Sequence, residues 1–349
     1  DLGRRWDGPR FEEARDADVA DWKSRQAVRS TEPPARVLAD RPTAPPTSVP
    51  PSAPASALAT SPSETCLEAL TREPLPLYSN GLDIALLWNA KAACTFAIKW
   101  FFFQDGVLEE AEIYAPWPHQ YRQQVYCARP GYKDQMTRIP GLGARAIKVV
   151  RDPFDRAVSS YLSYCTQADR PMESSATTSA ARRLREGLLI GPPGRAQHVP
   201  MLKAIGRHLG RKVGDGELFT FREWIGFLDT LDLDEADIHV RRQLHPCERD
   251  GGLPELNVIR AEEAGTELPR LEEALGLRAA EQARLRRSRH HTERVDDAHF
   301  AADERFGGAL GVAIPTTRWF FDRELVESVS RLYRADIETY GYVPPEPTA

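Results

Sequence analysis

Apolar residues fall along this chain in short blocks separated by turn-forming residues, and the spacing inside each block predicts its element. A hydrophobic run begins near Leu75, turns tightly at Ser79–Gly81 and leads into Asp83-Ile-Ala-Leu-Leu-Trp88, which has the length and composition of a buried strand. Asn89–Thr95 reads as a loop, and from Phe96 to Phe103 the apolar positions resume at helical spacing. The same order recurs downstream. Ala146–Val150 is a strand candidate, Arg151-Asp-Pro153 the turn and Phe154–Tyr164 a helix, with Pro153 suited to a first helical turn where its missing N–H is not needed. Phe219–Leu231 and Leu268–Leu275 are further helix candidates, the second stopped by Gly276, and Leu256–Arg260 is a short strand. One more helix is expected from an Asp322 cap through Leu325, Val329, Leu332 and Asp336 to Tyr340. Strands alternating with helices imply an α/β fold whose mainly parallel sheet is covered on both faces.

The N-terminal part lacks this pattern. Residues 1–32 form a charged segment with one helical stretch near Phe11–Ala27, readable as the remnant of an upstream region. Nine prolines fall in the thirty residues from Pro33 to Pro62, among Ala, Ser and Thr, so too little apolar surface is available to fold. We assign residues 33–72 to a disordered linker and 73–345 to a single domain. Within that domain, residues 165–218 are rich in Ala, Thr, Gly, Pro and Arg, with weak helical signals at Ala180–Leu189 and Met201–Leu209. They read as a variable insert and a candidate acceptor region. No internal repeat is visible.

Composition narrows the function more than the fold. A hydrophobic fraction of 41% and a charged fraction of 28% are ordinary for a soluble globular protein. No apolar stretch is long enough to span a bilayer and no signal peptide shows, which points to the cytoplasm. The start at Asp1 without methionine leaves room for a removed upstream anchor and a membrane-associated or Golgi-type location. With 46 basic against 51 acidic side chains, net −5, no overall field draws the chain onto nucleic acid, so any anion site must be local. Cys66, Cys94, Cys127, Cys165 and Cys247 are odd in number and irregular in spacing, without a Cys-x-x-Cys pair; they read as mostly reduced thiols, and no metal is expected.

In open α/β sheets ligands sit beyond the carboxyl ends of the strands, where helix N-termini offer free N–H groups, and both strand–loop–helix units place their loops there. In Asn89-Ala-Lys-Ala-Ala-Cys-Thr95, Ala92 and Ala93 allow close approach of the backbone to an anion, Lys91 adds a positive charge and Thr95 a hydroxyl. In Arg151-Asp-Pro-Phe-Asp-Arg-Ala-Val-Ser-Ser-Tyr161, a guanidinium leaves a strand end and a hydroxyl follows two helical turns later, able to grip a dianion from two sides.

The second segment matches at every fixed position the pattern Arg-Asp-Pro-x-x-Arg-x-x-Ser-x-Tyr of PAPS-dependent sulfotransferases, in their carbohydrate-modifying family 2 branch. The first resembles the same family's Pro-Lys-x-x-Cys-Thr loop, departing from it at Ala90. Weaker likeness extends to Asp237-Ile-His-Val-Arg-Arg-Gln243, Asn257–Glu263 and Leu332–Tyr342. The resemblance implies a P-loop-NTPase-like three-layer α/β/α fold and transfer of a sulfuryl group from PAPS, without a metal, to a glycan, glycolipid or small alcohol. It also implies site residues. Lys91 is expected on the leaving phosphate, with Ala92, Ala93, Cys94, Thr95 and Phe96 around the 5′-phosphate and Arg151 and Ser159 on the 3′-phosphate. The base is expected to be His239, with His245, Glu109 and Glu110 as competitors. The basic run Arg284–His291 reads as a lid carrying Arg287 and Arg289 to the nucleotide, or else as a solvated helix face.

Plain structural alternatives accompany each assignment: a capping ion pair for Arg151 and Asp152, a surface or core-edge histidine for His239. Two other functions remain open, a P-loop kinase or ATPase and a non-catalytic nucleotide- or glycan-binding module. The first lacks its Gly-x-x-x-x-Gly-Lys run here.

Overall fold

The structure, a computed structural model, describes residues 63–169, 194–286, 294–296, 299–307 and 314–348. The charged N-terminal segment, the proline-rich stretch to Pro62, the Ala180–Leu189 signal and both Arg287 and Arg289 lie outside the described residues.

The chain is α/β, as expected. The first helix among the described residues, α1 (Glu64–Leu70), precedes β1 (Leu77–Ser79) and β2 (Ile84–Trp88). Helices α2 (Cys94–Gln104) and α3 (Leu108–Tyr114) lead on to β3 (Ala146–Val150) and α4 (Pro153–Asp169). Then come α5 (Gly194–Leu209), α6 (Phe221–Leu228), β4 (Asn257–Arg260) and α7 (Ala264–Leu275). Short strands β5 (Arg294–Val295) and β6 (Ile314–Pro315) precede α8 (Arg323–Leu332) and α9 (Arg334–Tyr340).

The main sheet has the order β1-β2-β3-β4, antiparallel between β1 and β2 and parallel from β2 to β4. All five residues of β2 and of β3 are buried, which is why both read as strands without polar alternation. Opposite faces of β3 meet different surroundings. Ile147 and Val149 join an apolar cluster with Ile98, Trp100 and Leu268, whereas Lys148 reaches a polar network of Gln243, Glu248 and Tyr340. A second apolar cluster is mainly helical and collects Tyr161 and Tyr164 of α4, Leu202 of α5, Trp224 of α6 and Val329 of α8, together with Val240 and Ile314 from outside the helices.

Two expectations need correcting, on the linker and on the last helix, and two are refined, on the cysteines and on the insert. Residues 64–70, assigned to the linker, form α1, capped by Ser63 and anchored through buried Cys66 and Leu70. The cysteines are not all thiols: Cys66 and Cys247 form a disulfide across 181 residues, a distance that hides the pair in the sequence, while Cys94, Cys127 and Cys165 are free. Part of the expected variable insert is helix α5, whose Leu202 and Ile205 are core residues. Asp322 does cap α8, accepting from the Leu325 N–H, yet the helix breaks at Tyr333. There the Leu332 carbonyl accepts from Arg242 and the Tyr333 hydroxyl donates to the Val240 carbonyl, so tertiary bonds displace helical ones. Among the described residues no helix is long and apolar enough to cross a membrane.

Candidate active site

The Arg151–Tyr161 segment is the hub of the site, and each fixed position has a physical task. The Asp152 carboxylate accepts from the Phe154 and Asp155 N–H groups at 2.7 and 3.3 Å, capping α4, and Pro153 fills the first turn. Arg151 does not pair with Asp152. Its guanidinium lies 3.5 Å from Asp155 and donates to the Lys91 carbonyl at 3.3 Å. Arg156, 2% exposed, donates to the Ala90 carbonyl at 3.0 Å and to the Ile238 carbonyl at 3.3 Å. The Tyr161 hydroxyl meets the Phe219 and Glu304 carbonyls at 3.0 and 3.1 Å, fixing α4 in the helical cluster. Ser159 is half-buried, and its hydroxyl has no bond to another described residue.

Gln243 locks the strand end from which Arg151 departs. Its side-chain amide accepts from the Arg151 N–H at 2.9 Å and donates to the Arg151 carbonyl at 2.8 Å. The Gln243 N–H is itself held by the buried Asp336 carboxylate, and the Gln243 carbonyl by Lys148. Burial raises the Asp336 pKa against the pull of the Gln243 N–H bond, and lowers that of Lys148 against the nearby Glu248 carboxylate.

The loop after β2 turns on two non-glycine residues in the left-handed region, Lys91 (φ 66°) and Ala93 (φ 51°). Ala93 is the N-cap of α2 and has no side-chain capping bond, so the first-turn N–H groups of Cys94, Thr95 and Phe96 face outward without a helical acceptor. Ala92 is fully buried and Lys91 half-buried. Burial lowers the Lys91 pKa, and the charges of Arg151 and Arg156 push it the same way. Asn89 adds a buried Nδ2 donor with no partner among the described residues.

His239 stands beside this loop. Its Nδ1 is 2.6 Å from Asp237 Oδ1, which also accepts from the His239 N–H and the Tyr164 hydroxyl. Against the opposing effect of burial, these bonds and the His239 charge hold the Asp237 carboxyl down at about 2. The Ser160 hydroxyl donates to the His239 carbonyl at 3.0 Å, so α4 positions this segment as well. The competitors stand elsewhere. His245 Nδ1 accepts from the Cys247 N–H and caps the short helix Pro246–Arg249, while Glu109 and Glu110 ride on α3, near Arg284 and Tyr121 respectively.

Around Arg151 opens a cavity of about 390 Å³ lined by Arg151, Asp155, Arg294, Thr316, Thr317 and Arg318. Arg318 pairs with Asp296 at 2.6 Å, whereas Arg294 donates only to the Pro315 carbonyl among the bonds of the described residues, leaving its charge in excess there. The described start of the basic run turns away: Arg284 pairs with Glu112 of α3 at 2.8 Å. Among the described residues, Arg294 and Arg318 share the cavity with Arg151, while Arg287 and Arg289 lie outside the described residues.

Lys91, Arg151, the uncapped N–H groups at the start of α2 and the Asp237-bound imidazole of His239 thus bring positive charge, free donors and a titratable ring together, a combination that suits an anionic ligand. The family model described as the sulfotransferase family matches residues 108–343. The chain belongs to the sulfotransferase family. No curated protein and no solved structure matches the chain. The matched stretch of this sulfotransferase contains the Arg151 motif, Asp237, His239 and Gln243, and starts after the Lys91 loop. Sequence reading assigned no role to Arg156, Gln243, Arg294 or Asn89. Arg156 was within reach, being a fixed position of the motif; Gln243 acts through Arg151, 92 residues away, Arg294 lies outside every quoted segment, and Asn89 has an orphan donor that only the folded loop reveals.

Proposed function

We propose that this sulfotransferase moves the sulfuryl group of PAPS to a hydroxyl of a carbohydrate-type acceptor and releases PAP. The observation that carries the reading is the pair of guanidinium bonds from Arg151 and Arg156 to the Lys91 and Ala90 carbonyls, which join the two phosphate-type motifs into one site. The residues fit a nucleotide with phosphates at two positions. Cys94, Thr95 and Phe96 N–H groups and the Lys91 ammonium suit the 5′ end; Arg151, Ser159 and the Arg294 cavity suit the 3′-phosphate.

In the transfer, His239 takes the proton of the attacking hydroxyl at Nε2 while Asp237 on Nδ1 holds the ring and stabilises the imidazolium. As the sulfur–oxygen bond to the acceptor forms, the bond to the phosphate oxygen breaks, and Lys91 meets the charge left on that oxygen. Burial lowers the Lys91 pKa, and an anionic neighbour acts in the opposite sense, favouring the ammonium.

The test has two arms. PAP titrated calorimetrically with EDTA present should bind, and labelled sulfate should pass from PAPS to at least one member of a panel of polysaccharides, lipids and small alcohols. A requirement for magnesium in PAP binding, or PAP binding with no transfer to any acceptor, would refute the reading in favour of a kinase-like or a non-catalytic protein.

A further inference from the structure

Helix α5 brings a second histidine to the site. His198 is 5% exposed, and its Nδ1 is buried with no hydrogen-bond partner among the described residues. Its ring lies 4.8 Å from that of His239, tilted by 47°, and 4.8 Å from Tyr164, edge-on at 85°. Neither neighbour satisfies it. The Tyr164 hydroxyl donates to Asp237 at 2.8 Å, and the His239 Nδ1 is engaged with the same carboxylate. An unpaired buried polar atom costs free energy, and beside a reaction centre it marks a place where a ligand completes the bond.

We infer that His198 is an acceptor-binding residue: its Nδ1 hydrogen-bonds a hydroxyl adjacent to the one that His239 deprotonates, so the acceptor presents a vicinal diol, as a pyranoside does. This rests on the reading of His239 as the base. Burial, followed by the nearby His239 charge, lowers the His198 pKa to about 4, so the ring is neutral near pH 7. A neutral imidazole offers one donor and one acceptor, and a hydroxyl can meet either. Adjacent rings facing adjacent hydroxyls explain why the two histidines come from separate elements. His239 lies on a turn fixed by α4, while His198 lies on α5, within the segment expected from its composition to shape the acceptor side.

The test uses the full chain with PAPS, a methyl pyranoside bearing vicinal hydroxyls and its monodeoxy analogues, with PAP affinity as the control. His198→Ala should lower kcat/KM for the diol on the order of tenfold, mainly through KM, and leave the analogue lacking the second hydroxyl nearly unchanged. His198→Asn, which restores a donor and an acceptor, should recover part of the loss. PAP affinity should stay within about twofold of wild type, because no phosphate contact is assigned to His198. Equal losses on both acceptors, a parallel loss of PAP affinity, or no loss at all would overturn the inference. Intact PAP binding with wild-type transfer to none of these pyranosides would overturn it too, leaving the donor reading standing. Absence of PAP binding would instead sink the proposed function itself.

Discussion

The two strand–loop–helix units share one topology and are stabilised by opposite means. Around Arg151 the chain holds itself: Asp152 caps, Pro153 fills the first turn, and Gln243 closes on both main-chain groups of Arg151. The Asn89–Thr95 loop has no such internal support. Its helix starts on a left-handed Ala93 without a side-chain cap, next to a left-handed Lys91. Left-handed non-glycine residues cost about 1–3 kcal/mol each. A hydrogen bond from a charged donor contributes about 1.5–3 kcal/mol. The two guanidinium bonds to Ala90 and Lys91 are therefore of the size needed to offset the strain, and the loop's shape is a property of the other unit.

The sharpest way to separate the two units is Lys91→Ala. It removes the charge that meets the leaving oxygen and leaves the guanidinium bonds to the loop carbonyls in place. Sulfuryl transfer should fall on the order of 100- to 1000-fold. PAP affinity, resting on Arg151, Ser159 and backbone N–H groups, should change only a few-fold. Near-normal turnover in this variant would remove Lys91 from the chemistry.

Arg156→Lys attacks the comparison itself, since it keeps the charge and gives up the fork that reaches Ala90 and Ile238 together. Loss of one such bond corresponds to about tenfold in binding. PAP affinity and transfer should drop together, because the loop, and not the leaving group, is disturbed. If calorimetry gives wild-type PAP affinity for Arg156→Lys, the loop stands on its own and owes nothing to the Arg156 fork.

How much of this was legible in the sequence follows the same division. The strands β2 and β3, the helix after Pro153 and the capped start of α8 could be read because their signals are local: apolar runs, a proline, an Asp cap. The break at Tyr333 could not, since Arg242 takes the Leu332 carbonyl from a distance of 90 residues. Cys66 and Cys247 looked like thiols for the same reason. In the site, Arg151 was visible as a motif position, but Gln243, which fixes it, is 92 residues away and belongs to no phosphate pattern. Arg294 carries no local pattern beside the more conspicuous run of arginines, of which Arg287 and Arg289 lie outside the described residues.

Acid distinguishes the donor side from the histidine side. His198 has its pKa lowered to about 4 and His245 to about 3, both first by burial. Above the ordinary imidazole value both stabilities are fully present; as pH falls from about 6.5 the unfolded chain takes up protons that the folded chain refuses until about 4 or 3. Stability should therefore decline on the order of 1 kcal/mol per pH unit for each histidine across that window. Asp237, held at about 2, adds its own loss only below its ordinary carboxyl value. Thermal melts between pH 7 and pH 4 check this. A melting temperature that is flat over the range, or that rises with acid, would contradict the buried neutral state of both rings.

The smallest effect is expected at Ser159, and it is the most specific. Ser159 sits two turns into α4 from Arg151, half-buried, its hydroxyl without a described partner, so its removal should cost the fold little. If that hydroxyl grips the 3′-phosphate, Ser159→Ala should weaken PAP by the net worth of one hydrogen bond to an anion, about 1.5 kcal/mol or roughly tenfold. Adenosine 5′-monophosphate, which lacks the 3′-phosphate, should bind wild type and variant alike. Arg151→Ala should show the same ligand dependence with a larger loss, because it removes a charge as well as donors. Equal weakening of both nucleotides in Ser159→Ala would mean that α4 acts on the site only through its scaffold bonds at Arg156 and Ser160. The unit that holds itself together would then serve the other loop alone and touch no phosphate of its own.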